Sequence, residues 1–352
     1  MILLSSLALL SVANAATIDS TSAIPVQKTS DLSYFVDASF TYWYVKEEGM
    51  DVAESAVLSG GGQTFLSNEG TVFQQFFSYE PGFQVGGGIK GDGWGLSTKY
   101  TWVRSKNKTN KSAPTNQTSI PGIGVWNVTD WFLQTTILGK SPTATHLSSD
   151  CHLALDIGDL LAENPIYEKK HVKVSGALGL RTVWIRQKMN IAMTQATASI
   201  GSLYLPEQPI HSLNNSHSWG IGPKIGLDTQ FLLPKGFWVE GQFAASLLYT
   251  RFSSIKHYEQ AVSTIALNAN GVTSRMGSYS AVRPVIESGL GIGWKTDCWN
   301  KYSFDLKASY DFSLFWGQNV IRKMLDEYWT GTQAAASDLY LQGLTVEACF
   351  SF

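Results

Sequence analysis

The sequence predicts an all-β protein, a transmembrane antiparallel up-and-down β-barrel of about ten strands. Long segments alternate apolar and polar residues at every second position, and the connections between them are alternately long and short. The last alternating segment ends in an aromatic-x-aromatic pattern, Phe350 and Phe352. A strand that crosses a bilayer needs about nine to eleven residues with aromatic side chains at both interfaces. A soluble β-sandwich is the alternative, but it leaves aromatic-rich faces without a place in one core.

The composition agrees with a barrel. The chain has 352 residues, 26 basic and 28 acidic, and its charged fraction is 15%. This near-neutral balance argues against a nucleic-acid partner, which requires a basic surface. Beyond the N-terminus no apolar run approaches the length of a transmembrane helix of about 18 residues. Lipid-facing and water-facing residues that alternate along a strand cancel in a running average of hydropathy.

The first residues have the pattern of an export signal. An apolar run in 1–15 ends with Ala13 and Ala15, which predicts a secretory signal peptide, although no Lys or Arg precedes the run. Residues 16–30 are polar and contain Pro25, so we expect a short periplasmic segment there. Residues 31–352 then form a single outer-membrane barrel domain.

The strands follow in order from the alternation. In 31–45 one face carries Tyr34, Val36 and Phe40 and the other carries Asp37. The Gly91-Asp92-Gly93 turn predicts a hairpin between the second and third strands. The predicted strands of the first half are 31–45, 79–90, 93–104, 151–160 and 171–186.

The second half alternates even more regularly. The clearest strand sets Tyr302 to Trp316 at even positions against Ser303 to Ser313 at odd positions. The predicted strands are 218–231, 236–252, 280–295, 301–316 and 337–352. An even count of ten puts both chain ends on the periplasmic side, whereas a further pair within 187–217 or 253–279 would give twelve. The sheet must close, because an unpaired backbone group in hydrocarbon is costly.

Several segments together resemble a known family. They are YWYVKEEGMDVA (42–53), EPGFQVGGGIKGDGWGLSTKYTW (80–102), LGLRTVWIRQ (178–187), WGIGPKIGLDTQFLLPKGF (219–237), AASLLYTRF (244–252), RPVIESGLGIGW (283–294) and DLYLQGLTVEACFSF (338–352). In their order and spacing the chain resembles the Legionella and chlamydia-like major outer membrane proteins. The resemblance implies an integral protein of the bacterial outer membrane, a general porin and dominant surface protein without catalytic residues.

If the apolar faces contact lipid, the charged residues on the opposite faces line the lumen. These candidates are Asp37, Lys99, Asp156, Lys173, Arg181, Lys224, Asp228, Glu240, Arg283, Glu287, Asp305, Lys307, Asp311 and Glu347. Both signs are present, which predicts a weakly selective, slightly cation-preferring channel for ions and small hydrophilic solutes. The alternative is that the charges pair across the interior and plug a narrow barrel. Histidines near strand ends, such as His152 and His257, are interpreted as ordinary polar residues.

The chain has no metal-site, phosphate-loop or hydrolase motif, so we expect neither an enzyme nor a cofactor. Of the three cysteines, Cys298 and Cys349 are candidates for a disulfide, for crosslinks to envelope proteins, or for free thiols. The further expected partners are outer-membrane lipid, lipopolysaccharide and copies of the same chain. A second hypothesis is a non-conducting structural or adhesin barrel that binds host or envelope partners through long loops, chiefly 106–150 and 253–279.

Overall fold

A computed structural model describes residues 32–59, 64–66, 70–114, 122–128, 143–195, 198–200, 203–205, 209–259, 272–298, 302–321 and 336–352. The predicted signal peptide and the segment 16–30 lie outside these ranges. The strands are β1 Ser33–Glu47, β2 Ala53–Ser59, β3 Thr64–Leu66, β4 Tyr79–Gly91, β5 Trp94–Ser112, β6 Gly122–Val128, β7 Thr143–Lys169, β8 Val172–Gln195, β9 Ala198–Ile200, β10 Leu203–Leu205, β11 Pro209–Leu232, β12 Phe237–Glu259, β13 Val272–Met276, β14 Tyr279–Cys298, β15 Tyr302–Asn319 and β16 Ser337–Ser351.

Ten of these strands close into one antiparallel ring. Its order is β1-β4-β5-β7-β8-β11-β12-β14-β15-β16, and β16 pairs with β1 to complete it. At this seam the backbone N–H groups of Tyr34 and Phe352 donate to each other's carbonyl oxygens, both at 2.8 Å. The predicted barrel and its ten strands are therefore confirmed, and each predicted strand corresponds to one strand of the ring.

The additional strands do not enlarge the ring. Among the described residues the short strands β9 and β10 pair with each other and with no strand of the ring, and β13 pairs with β12. At another place β2 pairs with β3 and β6, and β6 joins β7 through two residue pairs, Trp126–Ala144 and Asn127–Thr143. The alternative of twelve barrel strands is therefore wrong.

One end of the ring carries short turns, which we call the short-turn end. There β4 meets β5 at the predicted Gly91–Gly93 turn, and β11 meets β12 at the short Pro234–Gly236 helix. The turn between β7 and β8 lies at Lys170 and His171, since β7 continues through a register shift between Pro165 and Tyr167. In bacterial outer-membrane barrels this end faces the periplasm.

The strands extend unequally toward the opposite, long-loop end. β7 has 27 residues, β8 and β11 have 24 each, and β12 has 23, whereas β1 and β16 have 15 each. About nine to eleven residues suffice to cross a bilayer. The wall formed by β7, β8, β11 and β12 therefore rises well beyond the membrane. Much of the predicted loop 106–150 is strand, since β5 continues to Ser112 and β7 begins at Thr143. No helix of the described residues has the length and apolar character that a membrane crossing requires.

Candidate functional site

The barrel interior contains three layers of side chains, defined here from the short-turn end upward. The first, the charged layer, consists of carboxylates and cations on inward strand positions. The second, the apolar layer, lies at mid-barrel. The third, the upper cluster, joins inward strand residues to residues of the long connections. The alternation of each strand supplies one inward residue every second position, which is why each layer draws on many strands.

Lys99 is the centre of the first group in the charged layer. Its Nζ lies 2.7 Å from the Glu347 carboxylate and 3.5 Å from that of Asp37. Lys307 continues the network, with its Nζ 3.1 Å from Glu240 and 3.6 Å from Glu347. The four strands β5, β1, β16 and β15 are thus connected to β12 by ion pairs within the ring.

Gly86 provides the space for Lys99. Gly86 lies on β4, where it pairs with Asp37 of β1 on one side and with Lys99 of β5 on the other. A Cβ atom at this position would lie 2.5 Å from the Asp37 carboxylate and 2.9 Å from the carbonyl oxygen of Thr98. A glycine is required because the Lys99 side chain crosses this strand to reach Asp37 and Glu347.

The second group of the charged layer surrounds Arg181. Its guanidinium donates two hydrogen bonds to Asp159, at 2.7 and 2.6 Å, and lies 2.8 Å from Glu287. Lys224 contacts the same two carboxylates, at 2.9 Å for Asp159 and 2.7 Å for Glu287. Two cations therefore alternate with two carboxylates, and the 3% exposed Arg181 side chain is almost fully desolvated. A buried charge requires such partners.

The apolar layer fills the barrel above these charges. Its residues are 0–6% exposed, although all lie on inward positions. They are Trp43, Val45, Val103, Leu153, Leu155, Ile157, Val183, Ile185, Leu248, Val285, Phe315, Leu339 and Leu341. Inward residues of a water-filled channel would be exposed. Their burial shows that side chains, rather than water, occupy this level of the barrel.

The upper cluster lies on the long-loop side of the apolar layer. Phe73, which belongs to the connection between β1 and β4, is fully buried and contacts Trp126 edge-on at 5.7 Å between ring centroids. Inward residues of β7 and β8, including Cys151 and Met189, pack in the same cluster. The first long connection therefore folds onto the barrel interior.

The predicted lumen residues separate into groups. Asp37, Lys99, Arg181, Lys224, Glu240, Glu287, Lys307 and Glu347 belong to the ion-paired charged layer. Asp311 accepts hydrogen bonds from Gln242 and Thr345. Four further predicted lumen residues also lie on inward strand positions: Lys173, Asp228, Arg283 and Asp305.

Asp156 does not belong to the interior, which corrects the prediction for this residue. It lies on the outer face of β7, where it pairs with Arg104 at 2.8 and 3.0 Å and accepts a hydrogen bond from Tyr100. The cause is that Leu155 and Ile157, the apolar residues on either side of Asp156, belong to the apolar layer and face inward. Sequence reasoning missed Asp159 for the same reason. One residue could have indicated that Asp159 faces inward. The apolar Leu160, which follows Asp159, is 48% exposed on the outer face, and consecutive residues of a strand face opposite sides.

The disulfide candidate is also corrected. Cys298 and Cys349 are free thiols on β14 and β16, which are separated by β15. Strands lie about 4.8 Å apart, so two steps separate the Cα atoms by at least about 9 Å. A disulfide tolerates about 7 Å at most.

His257 forms the most enzyme-like constellation. Its Nε2 lies 2.7 Å from the Glu259 carboxylate and its Nδ1 lies 2.6 Å from the Asn214 side-chain oxygen. Both His257 and Glu259 are buried, at most 1% exposed. Within the described ranges no group of three or more His, Cys, Asp or Glu side chains could hold a metal ion.

Comparisons with known proteins gave one family match and several similar solved structures. The family model described as Legionella pneumophila major outer membrane protein precursor matches residues 29–352. A search of curated proteins gave no match. The structure of the Escherichia coli outer membrane protease OmpT is similar, with 10% identity, a TM-score of 0.37, and coverage of 95% of this chain and 99% of that one.

Two other structures match at comparable coverage. A major outer membrane protein from Thermus thermophilus has 10% identity and a TM-score of 0.27, over 92% of this chain and 100% of that one. An anion-selective porin from Comamonas acidovorans has 11% identity and a TM-score of 0.18, also over 92% and 100%. Values this low carry no argument about activity.

Proposed function

Because this chain belongs to the Legionella pneumophila major outer membrane protein family, it is an integral barrel of the bacterial outer membrane, and we propose that its resting state does not conduct. In this proposal the protein is a structural surface barrel. Its elongated wall and long connections face the exterior and are available to host or envelope partners. No catalytic role is proposed.

The apolar layer carries this proposal. Thirteen inward side chains from eight strands are all nearly unexposed at one level of the barrel. Ions and hydrophilic solutes would have to cross this layer without water, at a large desolvation cost. The upper cluster adds a second obstruction on the extracellular side.

Liposome swelling tests the proposal. Refolded mature protein, checked for heat-modifiable migration in gels, is reconstituted beside a general porin as positive control. We expect no swelling above that of protein-free liposomes with glycerol or small sugars. Swelling with wild-type protein at a rate that falls with solute size would contradict the closed resting state.

The second candidate is a weakly selective channel for ions and small hydrophilic solutes. The charged layer is the observation that favours a channel. A purely structural core does not need inward-facing carboxylates and cations, whereas charged side chains of both signs line selective channels. Conduction would require the apolar layer and the upper cluster to open. In that case, changing Asp305 and Asp311 to Lys should move the reversal potential in a salt gradient toward anion selectivity. An unchanged potential in a conducting variant would argue against a role of these carboxylates in selectivity.

A further inference from the structure

Four cations are concentrated on the outer face of the barrel. Arg104 and Lys106 lie on β5, and Arg186 and Lys188 lie on β8. The outer face of β7 lies between them, with the small Ala154 paired to both Arg104 and Arg186 in the strand registers. Long basic side chains around one small residue leave a hollow of about 360 Å³, which we call the basic hollow. It is lined by Glu80, Arg104, Ser105, Lys106, His152, Leu153, Ala154, Arg186, Gln187, Lys188, Asn215 and His217.

The tryptophans beside the basic hollow locate it relative to the membrane. Trp102 and Trp184 precede Arg104 and Arg186 by two residues, and Trp219 pairs with Trp184 on the neighbouring strand. On β8 the outer face from Val174 to Trp184 is apolar apart from Thr182. This length of about eleven residues matches one bilayer crossing, with tryptophan at its boundary. The basic hollow therefore lies just beyond the lipid-facing band, at its extracellular edge.

The two arginines of the basic hollow differ in how firmly their side chains are held: Arg104 on β5 is fixed by its contacts, whereas Arg186 on β8 is largely exposed. Asp156 holds Arg104 through two hydrogen bonds at 2.8 and 3.0 Å, and the guanidinium also covers the Trp102 ring at 4.7 Å. Arg186 is held less closely: its guanidinium comes no nearer than 3.8 Å to the Asp156 carboxylate, and its side chain is 61% exposed. Asp150 pairs with His152 at 3.1 Å. Glu80, which also lines the basic hollow, accepts a hydrogen bond from Ser78 at 3.0 Å. The four cations outnumber the three carboxylates Asp150, Asp156 and Glu80, so a surplus of positive charge remains.

We propose that the basic hollow binds the phosphate groups of lipopolysaccharide in the outer leaflet. Phosphate accepts charge-assisted hydrogen bonds from Arg and Lys, with Arg able to form two parallel bonds. The position excludes the phospholipid head groups of the inner leaflet, which lie at the periplasmic end of the strands. The tryptophans contact the acyl region next to the head group, as amphipathic rings do at a membrane boundary.

The test measures binding of diphosphoryl lipid A to the detergent-solubilised full barrel by native mass spectrometry. Arg186→Gln/Lys188→Gln is the variant, and Lys169→Gln/Lys170→Gln at the periplasmic turn is the matched control. Heat-modifiable migration establishes that all three proteins are folded. Two lost charge-assisted bonds correspond to at least about tenfold weaker binding. We expect this loss in the variant only, and we expect dephosphorylated lipid A to bind wild type and variant equally weakly.

Three outcomes would overturn the proposal. The first is equal affinity of wild type and variant for diphosphoryl lipid A. The second is equal binding of phosphatidylglycerol with the same dependence on Arg186 and Lys188, which would indicate a general anionic-lipid surface. The third is a variant that changes the oligomeric state of the protein while lipid A binding is unchanged, which would make the basic hollow a contact between copies of the chain.

Discussion

The guanidinium of Arg181 lies 2.8 Å from the carboxylate of Glu287, although β11 and β12 separate their strands in the ring. The ion pair therefore reaches across part of the interior instead of following one pair of neighbouring strands. Asp159 and Lys224 complete the group, and its side chains occupy space that an open channel would leave to water.

Removing the Arg181 charge should destabilise the barrel strongly. In Arg181→Met, Asp159 and Glu287 lose a partner that is almost fully buried. Breaking a buried pair in this way costs about 3–5 kcal/mol. The free energy of unfolding, measured by urea titration in lipid vesicles, should fall by about this amount. Lys173→Met is the control, because the Lys173 side chain is 40% exposed and its Nζ comes no nearer than 4.0 Å to the Glu168 carboxylate. For such an exposed pair the free energy of unfolding should change by about 0.5 kcal/mol. Equal effects would contradict the assigned network.

Gly86 should not tolerate even one methyl group. In Gly86→Ala the new Cβ would meet Asp37 and the Thr98 carbonyl, so that the Lys99 network must shift. Overpacking of this kind costs about 1–3 kcal/mol. In Gly241→Ala, the control, the nearest atom to the Cβ is Leu290 Cδ2 at 3.6 Å, and stability should be nearly unchanged. The midpoint of heat-modifiable migration compares the two variants, and a Gly86→Ala protein as stable as wild type would refute the close approach.

The packing of the first long connection can be measured at Cys151. This thiol is 3% exposed and belongs to the upper cluster with Phe73. In a background with Cys298 and Cys349 changed to Ser, Phe73→Ala should increase the rate at which a water-soluble maleimide labels Cys151. Truncating a buried Phe costs about 3–5 kcal/mol of local packing, so opening becomes at least about a hundredfold more frequent.

Phe76 provides the matched control for that experiment. It lies three residues further along the same connection and is 66% exposed. Labelling of Cys151 in Phe76→Ala should proceed at the wild-type rate. Fast labelling in the wild-type protein itself would show that the upper cluster does not cover the interior.

The sequence was sufficient for the ten strands because alternation is a local property. It identified Tyr34 and Phe40 as outward and Asp37 as inward, as the exposures of these residues show. It could not decide the two faces of β7, since Leu153 and Leu155 alternate equally well toward lipid or toward an apolar interior. The assumption of a polar lumen selected the wrong face, and with it Asp156 instead of Asp159.

Contacts across the ring were beyond sequence reasoning for another reason. The approach of Lys99 to Glu347 joins residues at distant positions in the chain, and it depends on closure, strand tilt and register together. The basic hollow likewise needs the registers of β5, β7 and β8. Only β5 and β8 show a local pattern for it, a Trp followed two residues later by an Arg.

Single-channel recording of the refolded wild-type barrel in planar bilayers, with a salt gradient across the membrane, tests the closed interior most directly. The protein is delivered to the bilayer by fusion of lipid vesicles, and heat-modifiable migration of protein recovered from the same vesicles verifies independently that the barrel is folded. For a closed interior we expect inserted protein without stable conductance steps at moderate voltage. Regular, long-lived steps with a reproducible reversal potential would contradict it and would establish an open channel through the charged layer.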